Sequence, residues 1–111
     1  MHLTVNNVKE VKKMSYAGTK RLAKERPDWI PIVRECLECA REYNEFPGSR
    51  VLKRLEEKKK KKIWKPGLRT LVKYGILKRT RTSRGGRRAY YIMPDPEGVE
   101  RALRELGLYE D

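Results

Sequence analysis

The run Pro66-Gly67-Leu68-Arg69-Thr70-Leu71-Val72-Lys73-Tyr74-Gly75-Ile76-Leu77 reads as a helix that starts, stops and hands over to a strand. Pro66 suits the first helical position, where its missing N–H would have no helical partner anyway. Leu68, Leu71 and Val72 fall at i, i+3 and i+4 and give an inward face. Arg69, Thr70 and Lys73 are left outward, and Gly75 ends the helix as a glycine just past its last turn. Trp64 and Lys65 stand just before it. Trp64 is either a core anchor or a ring on which a base stacks.

Downstream, Ile76-Leu77 leads into a strand expected over 78–83, and a second is expected over 87–93. Gly85-Gly86 suits a two-residue hairpin turn that needs positive φ at both positions. That register pairs Thr80 with Tyr91 and Thr82 with Ala89 on one face. On the other it pairs Arg81 with Tyr90 and Arg79 with Ile92. Burying two arginines costs far more than burying two threonines, so Tyr91 and Met93 should face the core and Arg79 and Arg81 solvent. Asp95 should cap a last helix, with Pro96 at its first position and Glu97 near the positive helix end. Its stripe is Val99, Ala102, Leu103 and Leu106, closed by Gly107.

Upstream, Asp28 is a good N-cap and Pro31 falls in the first turn of the helix it would open. Ile30, Val33, Leu37 and Ala40 mark the apolar face of that helix, which should end near Tyr43-Asn44. Phe46-Pro47-Gly48 reads as an extended connection and turn. Ser49 should cap the next helix, with Val51, Leu52 and Leu55 inward. Residues 1–27 read as a basic helical arm in two pieces, the second over Ser15–Arg26, weakened at Gly18 and stopped at Pro27. It would reach along a nucleic-acid backbone, extend a dimer interface or pack against the domain, the last two being favoured. The rest, 28–111, reads as one α+β domain, mostly helical. Its 38% hydrophobic residues can build one modest core.

Charge is unevenly spread. Lys58 to Pro94 holds 14 of the 28 Lys and Arg and none of the 15 acids, so the net charge of +13 belongs to that third of the chain. Such a surface points to a polyanionic partner. A membrane surface would want the cations on one face of an amphipathic helix, opposite Trp, Phe or Leu. Here they are spread over a turn, a helix and a hairpin, so nucleic acid is favoured and no membrane partner is expected. No apolar run is long enough to span a bilayer, and the first residues lack the basic start and apolar stretch of a secretory signal. A cytoplasmic, nucleoid-associated location is therefore expected. Charged residues make up 39%, with no Gln and only three Asn, a composition typical of proteins from very hot environments.

Leu68 to Leu77 resembles the end of the recognition helix in winged-helix (winged helix-turn-helix) DNA-binding proteins. In that family a helix finishes in a glycine and a Leu or Ile begins the wing strand. Small archaeal transcription regulators look most similar, over roughly residues 29–107. The resemblance implies a recognition helix at 64–74, set in the major groove and reading base edges mainly from its N-terminal residues. Arg69 would contact a guanine bidentately, with Thr70, Lys73 and Lys65 beside it. The wing at 78–93 would place Arg84, Arg87 and Arg88, with Arg81, Ser83, Gly85 and Gly86, along a phosphate backbone or in the minor groove. Lys58, Lys59, Lys60, Lys61 and Lys62 would add phosphate contacts that position without reading sequence. The implied partner is double-stranded DNA, the implied role transcriptional regulation, and the implied state a homodimer. RNA or ribosome binding, or docking of an acidic protein on the basic face, are the alternatives.

Cys36-Leu37-Glu38-Cys39 is a C-x-x-C pair, but a zinc site wants four ligands, and the chain has no further Cys and a single His, His2. Inert buried thiols, a redox pair, or a metal shared across a dimer are the readings open to it. No nucleophile with a partner His and no Gly-rich phosphate loop is present in the sequence, so neither catalysis nor a cofactor is expected.

Overall fold

Pro27 sets the first break in the chain, because its ring cannot continue a helix. The computed structural model describes residues 3–60, 62, 67–83, 85 and 88–110, with side chains from Met14 onward. Its elements are α1 (Leu3–Glu25), a 3-10 turn (Pro27–Trp29), α2 (Ile30–Glu42), β1 (Phe46–Pro47) and α3 (Gly48–Lys59). There follow α4 (Arg69–Lys73), β2 (Lys78–Thr82), β3 (Ala89–Ile92) and α5 (Pro96–Glu105). The architecture is α+β and mainly helical, as the sequence implies. No helix among the described residues is long and apolar enough to cross a membrane.

The arm expected as two helical pieces is one helix, and Gly18 is not its weak point. A Cβ on Gly18 would overlap the carbonyl oxygen of Tyr74, so glycine lets α1 lie directly on the end of α4. Ser15 Oγ donates to the Gly75 carbonyl at 2.9 Å, and Thr19 Oγ1 to the Ser15 carbonyl at 2.7 Å. Leu22 is fully buried in the core.

Asp28 does not cap α2. It sits within the 3-10 turn, which carries Trp29 into the core, and Trp29 takes the N-cap position with no side-chain cap bond. Ile32, Val33, Cys36 and Leu37 then face inward. The extended connection after α2 is a strand. Phe46 pairs with Tyr91 and Pro47 with Tyr90, giving an antiparallel sheet in the order β1-β3-β2. Ser49 is likewise not a cap, since α3 already begins at Gly48 after an extended Pro47. Val51 and Leu55 bury its inner face.

α4 is shorter than expected. Gly67 has φ 145, which no helix accepts, so the helix opens at Arg69 behind Leu68. Trp64, Lys65 and Pro66 lie outside the described residues. The inward row is Leu68, Leu71 and Tyr74, whereas Val72, expected inside, is exposed. Gly75 (φ 79) ends the helix as expected, and the Ile76 N–H reaches the Leu71 carbonyl at 3.0 Å.

The hairpin keeps half of the expected register. Arg81 faces Tyr90 and Thr82 faces Ala89, but Arg79 faces Tyr91 and Lys78 faces Ile92, because the ladder is irregular between Arg79 and Arg81. One extra residue in β2, at Thr80, shifts everything before it by one position. Neither threonine is buried: all five residues of β2 are exposed. Tyr91 and Met93 are buried as expected. The Ser83 N–H donates to the Arg88 carbonyl at 2.7 Å, and Gly85 has φ 89, as a tight turn requires. Gly86 lies outside the described residues.

α5 starts at Pro96 behind Asp95, which makes no side-chain cap bond. Val99, Ala102 and Leu103 are buried, but Leu106 is exposed. The chain reverses at Gly107 (φ 71), and Leu108, bonded back to the Leu103 carbonyl at 2.7 Å, closes the end instead.

Candidate nucleic-acid interface

The acids of α2 and α5 are largely matched by cations close to them. Glu35, 2% exposed, has its Oε1 2.9 Å from Lys58 Nζ and its Oε2 3.1 Å from Arg54 Nε. Lys58 also donates to Glu38 at 2.5 Å. These bonds raise the Lys58 pKa and hold the Glu38 carboxyl below its usual range. Lys58, expected among the phosphate-contacting lysines, is thus committed to tying α3 to α2. Glu42 accepts both ends of the Arg54 fork at 2.8 and 3.2 Å, which holds it low too. At the α1–α5 contact Glu105 binds Lys20 at 2.7 Å and accepts from Tyr16, while Glu100 binds Arg41 of α2 and Arg104 of its own helix.

The cations on the other side have no such partners. Lys59, Lys60, Lys62, Arg69, Lys73, Lys78 and Arg88 are exposed. Among the described residues none of their side chains makes a hydrogen bond, ion pair or ring contact. They sit on the end of α3 and just beyond it, on α4, and on the hairpin, Lys78 at its base and Arg88 beside its turn. Arg69 and Thr70 open α4, with Arg69 exposed and Thr70 half-buried. Lys60 ends α3 in the left-handed conformation (φ 53), a position glycine fills at lower cost. Ser83 is half-buried, and its Oγ accepts from the Arg88 backbone N–H at 3.0 Å. Gly85 is exposed at the turn, with nothing within 4 Å of where a Cβ would stand. Lys61, Lys65, Arg84, Gly86 and Arg87 lie outside the described residues.

Arg81 differs from the other expected contacts. Its Nε lies 2.9 Å from Glu45 Oε1, and its guanidinium sits 4.0 Å over the Tyr90 ring. Thr80 Oγ1 donates to the other Glu45 oxygen at 2.5 Å. The Thr80 and Arg81 bonds together hold the Glu45 carboxyl below its ordinary range. Glu45 precedes β1, outside the acid-free stretch, and only the pairing of β1 with β3 brings it to the hairpin. Sequence spacing carried no signal of it.

Cys36 and Cys39 are free and buried, and burial pushes both thiols up, Cys36 the further. A thiol held in its protonated form is a poor nucleophile and a poor ligand. Among the described residues no cluster of three or more His, Cys, Asp or Glu could hold a metal.

No protein-family model, curated protein or solved structure matches the chain.

Proposed function

We propose that this protein is a winged-helix transcriptional regulator that binds double-stranded DNA sequence-specifically. In this reading α4 is the recognition helix and β2–β3 the wing. The observation that carries it is the set of seven exposed cations without partners among the described residues, from Lys59 to Arg88, at and beyond the end of α3, on α4 and on the hairpin. Elsewhere Glu25, Glu35, Glu38, Glu42, Glu45, Glu100 and Glu105 each lie beside a cation, whereas the region from α4 through the hairpin contains no acid. Polyphosphate supplies the missing charge, and the release of its counterions drives binding. The order α2, α3, α4, hairpin also suits the family. Arg69 and Thr70 stand in the first turn of α4, from which a recognition helix reads base edges, and the Arg69 fork fits guanine. Lys59, Lys60 and Lys62 set affinity through phosphates. The protein acts in the cytoplasm as a homodimer and is not an enzyme.

Selection of bound fragments from random duplexes, followed by titration against salt, tests the proposal. With Arg69 on a base, the other six cations as phosphate contacts give a slope of log K against log salt of about −5. A flat salt dependence, or no enriched sequence, overturns it.

One observation favours RNA instead. α4 has five residues and is therefore about 7.5 Å long, a short element to lay in a major groove. Competition between duplex DNA and structured RNA separates the two readings. Preferential displacement by RNA would favour the second.

A further inference from the structure

The irregularity in β2 separates two arginines that alternation would have put together. Residues directly opposite in an antiparallel ladder share a face, and neighbours along a strand point to opposite faces. Arg81 is opposite Tyr90 and Arg79 is opposite Tyr91, so the two guanidinium groups leave the hairpin on opposite sides. The Tyr91 side is the helix side. A Cβ on Gly48, at the start of α3, would stand 3.2 Å from the Tyr91 ring and 3.4 Å from Leu68, which precedes α4. Without the extra residue at Thr80, Arg79 would share the outer face with Arg81, where Glu45 takes the charge.

Arg79 is exposed and makes no ion pair with a described acid. One of its terminal nitrogens donates to Thr82 Oγ1, and Thr82, opposite Ala89, lies on the same face. The hydroxyl accepts that bond and keeps its own O–H to donate, while the rest of the guanidinium fork stays free. A cation already held in place loses less freedom on binding than a loose one. The two side chains together offer what a phosphodiester oxygen pair needs, a charged fork and a neutral donor.

We propose that Arg79 and Thr82 form a phosphodiester seat on the helix side of the wing, and that Arg81 is a structural residue of the hairpin. This inference rests on the nucleic-acid reading above and adds to it a contact that sequence alternation would not have distinguished from Arg81.

The test uses the full chain and a short DNA duplex, with anisotropy titrations over a range of salt and thermal unfolding of each variant. Arg79→Ala should lower the magnitude of the salt slope by about 0.9 and weaken binding about fivefold at about 0.15 M salt. Thr82→Val should weaken binding about threefold with the slope unchanged. Arg81→Ala should leave the slope unchanged while lowering the melting temperature. If wild type shows salt-dependent binding and Arg79→Ala matches it, the seat is overturned while the nucleic-acid reading stands. The same holds if Arg81→Ala loses the charge contact instead. A wild-type chain with no salt-dependent binding overturns both.

Discussion

Arg54 and Arg69 put one kind of side chain to opposite uses. Arg54 lies between Glu35 and Glu42 and holds α3 against α2. Arg69 opens α4 with no partner among the described residues. The same contrast runs through the molecule. Around α1, α2 and α5 much of the charge is spent on internal contacts, whereas from the end of α3 through the hairpin most of the described cations are left facing solvent. On the proposed reading, fold and binding are carried by largely separate sets of cations. Substitutions on the first side should change stability and spare affinity, and those on the second the reverse.

The sharpest way to break that separation is to remove charge where none is matched. Changing Lys59, Lys60 and Lys62 together to Gln should lower the magnitude of the salt slope by about 2.7 and duplex affinity about a hundredfold at about 0.15 M salt. The melting temperature should hardly move. A large loss of stability in that variant would show that these lysines belong to the fold after all.

On the packed side, Gly18→Ala forces a methyl group into the Tyr74 carbonyl, and overpacking of that kind costs about 1–3 kcal/mol. The chain should melt earlier, while the folded fraction still binds duplex with wild-type affinity. Unchanged denaturant unfolding would mean that α1 and α4 are not in this contact in solution.

Lys60→Gly crosses the two regions in a single residue. Relief of a left-handed lysine should stabilise the chain by about 1 kcal/mol, while loss of one phosphate contact weakens binding about fivefold. Stability and affinity moving in the same direction would contradict the proposed trade.

Acid and alkali should reach the matched side first. Glu38, Glu42, Glu45 and Glu105 are held below the ordinary value of 4.5, so each adds stability above it that is lost as pH falls through the folded value. Lys20 and Lys58 are held above 10.5, so their contribution is present below that value and lost as pH rises through the folded one. Melting temperature against pH should show a plateau between these limits and fall at both ends. A profile still rising below pH 4.5 would contradict the assignment.

The comparison also shows what a sequence can carry. The faces of α2 and α5, the stop at Gly75 and the burial of Tyr91 follow from periodicity and backbone chemistry within a few residues. Pairing of β1 with β3 left no such trace, because two residues cannot display an alternation. Gly18 looked like a helix breaker because the carbonyl it admits belongs to Tyr74, far along the chain. The shift at Thr80 changes no residue type, yet it moves Arg79 to the other face. The acid-free stretch picked out the basic surface, but not Glu35, Glu38 and Glu45, which remove Lys58 and Arg81 from the free set. Local rules found the elements. Which charges remain free was decided by contacts between distant residues.

The seating of α1 has a consequence for how the chain is made. Ser15 bonds to Gly75, 60 residues on, and Tyr16 to Glu105, 89 residues on. During synthesis this helix emerges before these partners and meets the later of them after an interval of about 5–20 s at ordinary elongation rates. For that time a basic helix waits without its seat, in a cell full of RNA.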